Sequence, residues 1–125
     1  MLDATKTISI FQRQSDPKAF SAGDTIFAEG QFADFMYGIL DGEVELLHEG
    51  QSLEILQAGD VFGVGALLDE RTRPYTAIAK TDCKLAFLDQ ERFLFAVQET
   101  PVFALRVLKG YSDRLNRMAR SCRVA

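Results

Sequence analysis

The sequence contains no tryptophan, one histidine, two cysteines and no long apolar run. Each shortage removes a class of protein. Two cysteines and His48 cannot supply the four ligands of a zinc or iron–sulfur centre within one chain. Cys83 falls in a strand-like segment and Cys122 in the tail, so no disulfide framework is expected. No apolar stretch approaches the roughly 20 residues of a membrane span. The opening MLDATKTISIFQRQ lacks the apolar centre of a secretory leader, so a cytoplasmic location without membrane contact is expected. His48 sits between Leu47 and Glu49 before a glycine turn and reads as an exposed strand residue. It has no evident nucleophile to activate, and the carboxylates are scattered rather than paired for acid–base work. The expectation is that the protein is not an enzyme.

What is present is ample core material. The 125 residues are 47% apolar and include ten phenylalanines, which suits one folded domain over residues 1–125. The net charge of −4 is unevenly placed. From residue 106 onward six basic residues face one acid, giving +5, while eight bases against seventeen acids leave −9 on residues 1–105. The cations suit the C-terminal dipole end of a helix. An acidic body would repel phosphate backbones, so direct nucleic-acid binding is not expected. No helix-turn-helix is expected after the last helical pattern, so a transcriptional role would need a partner or a longer native chain.

Glycines at 23, 30, 38, 42, 50, 59, 63 and 65 punctuate the first half. Between them lie short runs rich in β-branched and aromatic residues, at 25–29, 35–40, 43–48 and 52–56, with period-two alternation at Val44 and Leu46 and at Leu53 and Ile55. Two further runs occur at about 75–80 and 84–88. Tight turns are expected at Asp41-Gly42 and Glu49-Gly50. So many short strands predict a mainly β fold, an antiparallel jelly-roll-like β-roll over about 20–89. Asp89 is then placed to cap a helix that ends near Thr100-Pro101. Pro101 suits the first turn of a second helix, so C-terminal helices are expected over about 90–121. In that helix Ala104, Leu108, Tyr111, Leu115, Met118 and Cys122 recur at alternating spacings of four and three. Such a seam serves either a core or a two-stranded coiled coil. A helix that both covers the roll and pairs with a second copy is favoured.

The ordered run SAGDTIFAEG, the stretch from Phe35 to Val44, then AGDVFG, and finally FGVGALLDERTRPYTA closely resemble the cyclic-nucleotide-binding domain. This is the module of catabolite-activator-type regulators, cyclic-nucleotide-dependent kinases and gated channels. The resemblance runs from about Phe20 to the end of the chain. It implies an eight-stranded roll, a short helix inside a phosphate-binding cassette and a helical C-terminal lid. The ligand it implies is cAMP or cGMP; no other cofactor and no metal are expected.

Carried over position by position, the resemblance assigns the cassette to Gly63, Val64, Gly65, Ala66, Leu67, Arg73, Pro74, Tyr75 and Thr76. The family's phosphate-binding arginine falls on Arg73, and the amides at its helix start on Gly65 and Ala66. A forked, always-charged guanidinium beside free amides suits a phosphate. Two positions depart from the pattern. The ribose-binding glutamate falls on Val64, which cannot accept a hydrogen bond, and the residue after the arginine is Pro74, which has no N–H to donate. Each lost contact costs about 1.5–3 kcal/mol, together two to four decades of affinity. The base-facing places on the last helix fall near Met118 and Ala119.

These residues leave two roles open. In one, Arg73 binds ligand, and the chain is a stand-alone cyclic-nucleotide sensor or regulatory module whose weak or altered binding in the β-roll is coupled to its C-terminal helices. In the other, Arg73 caps a turn or pairs with Asp69 or Glu70, and the chain is a structural dimerisation module without ligand. Both expect a homodimer through the last helix, and a further protein partner is compatible with either.

Overall fold

The computed structural model describes residues 3–69 and 71–121. An N-terminal helix α1 (Ala4–Phe11) precedes eight strands: β1 (Lys18–Phe20), β2 (Thr25–Phe27), β3 (Met36–Asp41), β4 (Val44–His48), β5 (Gln51–Leu56), β6 (Val61–Phe62), β7 (Thr76–Ala79) and β8 (Cys83–Leu88). A short 3-10 helix (Val64–Leu67) lies between β6 and β7. Helices α2 (Gln90–Glu99) and α3 (Val102–Ser121) close the chain. No helix among the described residues is long and apolar enough to cross a membrane.

The strands form two four-stranded antiparallel sheets, in the orders β1-β8-β3-β6 and β2-β7-β4-β5. This is the expected β-roll followed by helices. The Glu49-Gly50 turn closes the β4–β5 hairpin, with φ of 49° and 81° at its two residues, the left-handed pair that such a two-residue turn needs. Asp41-Gly42 does something different. It carries the chain from the first sheet into the second, because β3 and β4 do not pair.

The two sheets enclose one apolar layer, and a second layer lies between the first sheet and the helices. β3 therefore reads as a nearly continuous apolar run: Tyr37 and Ile39 enter the roll, while Met36 on the opposite face meets the helices. β8 does the same, with Leu85 and Phe87 inward and Ala86 and Leu88 outward. A strand covered on both faces loses the alternation of a half-exposed one.

The helix α1 has no counterpart in the sequence expectation. Its Asp3 cap accepts the Lys6 amide at 3.0 Å, but eight residues make a marginal helix alone. Packing holds it: Ile8 is fully buried, and α1 crosses β3 at Gly38, where an added Cβ would lie 3.0 Å from both Thr5 Cα and Ile8 Cδ1. Asp89 caps α2 as expected, accepting the Arg92 amide at 2.8 Å.

The expected seam of α3 is divided by the structure. Tyr111 packs on the roll beside Phe103 and Val107, which the seam did not include; Ala104 is half-buried, and Leu108, Leu115 and Met118 face outward. Cys122 lies outside the described residues. His48 is exposed near Glu29, and Cys83 is a buried free thiol whose pKa is pushed up by that burial.

Candidate functional site

The cassette begins where β6 ends. Gly63 turns the chain at φ 77°, a conformation open to glycine. A Cβ there would also stand 3.0 Å from Arg73 Nη1 and 3.2 Å from the Phe35 carbonyl oxygen. After the 3-10 helix, residues 71–73 run antiparallel to residues 30–33. The Arg73 amide donates to Gln31 O at 2.8 Å, the Gly30 amide to Arg73 O at 2.9 Å and the Ala33 amide to Arg71 O at 2.9 Å. These bonds hold the arginine backbone so that its side chain enters the roll.

Arg73 is 3% exposed. Its Nη1 donates to Gly63 O at 3.0 Å and its Nη2 to Phe35 O at 2.5 Å, with Asp34 Oδ1 3.5 Å from Nη2. The guanidinium carbon lies 4.0 Å from the centre of the Phe27 ring, a favourable cation–π distance. Its Nε is buried and has no hydrogen-bond partner among the described residues. The intramolecular carboxylate beside Arg73 is thus Asp34 rather than Asp69, and Glu70 lies outside the described residues.

Arg73, Gly63, Val64, Gly65, Pro74 and Tyr75 all edge one cavity of about 230 Å³. Tyr75 reaches back so that its Oη accepts the Gly63 amide at 3.3 Å. The Ala66 amide is taken by Gly63 O at 3.3 Å within the 3-10 turn. Leu67 turns away into the helix-side core, and the Thr76 hydroxyl accepts the Glu29 amide at 3.0 Å. The structure therefore brings six of the nine cassette positions together at the cavity.

α3 reaches this cavity through Tyr111. Met118 instead lines a separate groove beside Leu53 and Ile55 of β5, and Ala119 is exposed. The Tyr111 hydroxyl is buried near the Val64 backbone and Arg114 but forms no hydrogen bond of good geometry among the described residues. Burial pushes its pKa up to about 12, with the neighbouring Tyr75 adding to the shift. Burial likewise raises the Tyr75 phenol, partly offset by the Gly63 amide and by the Arg114 and Arg73 charges. Sequence reasoning placed Tyr111 in the seam but not at the site. The spacing of Phe103, Val107 and Tyr111 along one helix face signals that Tyr111 turns toward the roll, but not that it reaches this cavity.

One turn further, Arg114 clamps α3 to the roll. Its Nε and Nη2 each lie 3.1 Å from the Glu54 carboxylate of β5, and Nη1 donates to Val61 O. Its guanidinium also covers the Tyr111 ring at 4.6 Å. Burial alone would lower the Arg114 pKa, but Glu54 together with the Tyr111 and Tyr75 phenols turns the net shift upward. An arginine inside a cationic helix carries no local mark of such a partner, so this clamp was not legible in the sequence.

Comparison with known proteins follows the same outline. The family model described as the cyclic nucleotide-binding domain matches residues 17–100. The chain is 33% identical to the cyclic AMP receptor protein of Thermus thermophilus over 86% of its own length and 50% of the relative's. It is 38% identical to the cAMP-dependent protein kinase regulatory subunit of Aspergillus niger over 62% of this chain and 20% of that protein. The crystal structure of the Thermus thermophilus catabolite activator protein superposes with a TM-score of 0.75 at 25% identity, over 94% of this chain and 56% of that one. The chain thus spans half the length, or less, of these curated relatives.

Proposed function

The chain belongs to the cyclic nucleotide-binding domain family, and from that premise we propose that it is a regulatory module that binds a cyclic nucleotide weakly through Arg73. The ligand is cAMP or cGMP, in keeping with relatives named for cyclic AMP. Binding is in the micromolar range or weaker, because Val64 and Pro74 withhold a ribose acceptor and a phosphate donor. Occupancy passes to α3, which meets the cavity at Tyr111. In the cytoplasmic setting we assign to it, the module pairs through the outward face of α3 with a second copy or a further protein.

One observation supports this more than any other. A fully buried guanidinium borders the cavity with its Nε unpartnered among the described residues. Leaving a buried donor unsatisfied costs about 1–3 kcal/mol. An entering phosphate oxygen removes that penalty and forms a charge-assisted bond. Titration calorimetry with cAMP and cGMP tests the proposal. Arg73→Ala should abolish binding, whereas Val64→Glu and Pro74→Ala should each strengthen it. Nanomolar binding by the wild-type protein, or unchanged affinity in Arg73→Ala, refutes it.

A second reading keeps the fold without a ligand, as a structural dimerisation module. It is favoured by the two carbonyls that already hold Arg73 and by the exposed Leu108, Leu115 and Met118. Thermal melting separates the two, since a ligand raises the melting temperature only if it prefers the native state.

A further inference from the structure

Tyr75 stands at the wall of the cavity that Arg73 and Gly63 also line. Its hydroxyl takes the Gly63 amide at 3.3 Å, and its ring packs on Phe27 at a centroid distance of 5.7 Å. The same Phe27 ring carries the Arg73 guanidinium at 4.0 Å. The phenol, the phenylalanine and the cation therefore form one packed unit at the cavity wall. The remaining space of about 230 Å³ is smaller than the roughly 300–1,000 Å³ of pockets that enclose small ligands.

The backbone on both sides of Tyr75 is held. Arg73 is bonded through its amide and carbonyl to residues 30 and 31, and Thr76 opens β7 with its hydroxyl on the Glu29 amide. Room for a ligand is therefore gained by rotation of the Tyr75 side chain rather than by displacement of the strand. A Tyr75 ring turned out to solvent gives up one neutral hydrogen bond, its tilted packing on Phe27 and its partly buried place against the core of the roll. A charge-assisted bond from an occupied anion site is what repays these costs.

From this geometry we infer that Tyr75 is a built-in gate: it occupies the cassette in the ligand-free protein and must leave for a cyclic nucleotide to bind. The inference rests on the weak-binding function proposed above and names the residue that limits its affinity. The gate acts as a pre-equilibrium. The apparent dissociation constant is the intrinsic one divided by the fraction of molecules with the ring turned out. The gate also faces α3, because Tyr111 lines the same cavity as Tyr75. Departure of the Tyr75 ring removes a neighbour from under α3, so opening and helix position are coupled.

Two substitutions divide the gate into its parts. Tyr75→Phe keeps the ring but frees the Gly63 amide, and should tighten cAMP binding by about two- to tenfold, the worth of one neutral hydrogen bond. Tyr75→Ala removes ring and hydroxyl together and should tighten it by at least about tenfold. A ligand-free measurement accompanies them: hydrogen exchange at the Gly63 amide should be faster in Tyr75→Phe than in the wild-type protein. Calorimetry with cAMP and cGMP on wild type, both variants and Arg73→Ala reads the outcome. Wild-type binding that Arg73→Ala abolishes, with no gain in either Tyr75 variant, overturns the gate and leaves the proposed function standing. Absence of binding in wild type and Tyr75→Ala alike overturns the proposed function, and the nucleotide gate with it. Should Tyr75→Ala fail to fold, the conservative Tyr75→Phe decides. Unchanged Gly63 exchange in that variant shows that the closing contact does not exist.

Discussion

Replacing Glu54 by alanine should destabilise the protein by about 3 kcal/mol, because it strands a buried guanidinium. Arg114 is 6% exposed, and its Nε and Nη2 both rest on the Glu54 carboxylate at 3.1 Å. Among the described residues no other carboxylate pairs with it. The converse substitution, Arg114→Met, should cost less, about 1–2 kcal/mol. Glu54 then loses its main partner, but Arg117 already stands 3.7 Å away on a half-exposed side chain and can close on it. Methionine also retains much of the arginine stem's packing against Tyr111. At about 4 °C per kcal/mol for a chain of this size, the two variants should melt about 12 °C and about 4–8 °C below wild type. Urea unfolding of both single variants and the double variant gives the energies directly. The double-mutant cycle should show a coupling of at least about 1.5 kcal/mol. If Arg114→Met proves as costly as Glu54→Ala, the arginine's packing and its bond to Val61 dominate, and the argument from a stranded charge is refuted.

Three further outcomes are expected. Gly38→Ala should cost about 1–3 kcal/mol, since the new methyl meets Thr5 and Ile8 at 3.0 Å; urea unfolding at wild-type stability would show that α1 gives way freely. Burial pushes the Asp89 pKa up, but the Arg92 amide and Arg13 outweigh it and hold the carboxyl below its usual range. Its stabilisation is therefore complete above the unfolded value near 3.9 and is lost as the pH falls from there through the folded pKa. Asp89→Ala should accordingly cost about 1 kcal/mol at pH 7 and clearly less at pH 3, and an equal cost at both contradicts the assignment. Finally, the outward residues Leu108, Leu115 and Met118 should pair two copies, and salt should tighten the pair by screening the basic residues beside them. Sedimentation should show that Leu108→Ser with Leu115→Ser abolishes the dimer; a wild-type monomer at high micromolar concentration and high salt removes the idea.

Much of the fold was legible because its signals are local. Glycine turns, period-two runs and the Asp89 cap act within a few residues, so they mark β4, β5 and the start of α2 before any long-range contact is known. Gly63 and Arg73, ten residues apart on one short excursion from the roll, were singled out by the same local signals, and they line one cavity. The segments that escaped notice are those without a local signature. β1 and β6 have three and two residues, too few for a period to show. β3 was marked as a run at 35–40, but its alternation is hidden because both of its faces are covered.

What only the tertiary structure decided is which layer each side chain enters. α1 exists because Ile8 finds the open surface of Gly38. Asp41-Gly42 crosses between sheets because β3 takes its partners from β6 and β8, while β4 takes β7 and its own hairpin partner β5. Arg73 could be numbered from the sequence, but its contacts with Gly63, Phe35, Asp34 and Phe27 could not. Nor could the meeting of Tyr75 and Tyr111 at one cavity, or the clamp of Arg114 on Glu54 across sixty residues. Periodicity records which face of an element is apolar. The partner of that face, and the charge a buried guanidinium finds there, are properties of contacts between distant segments, and they come into being only when the roll closes.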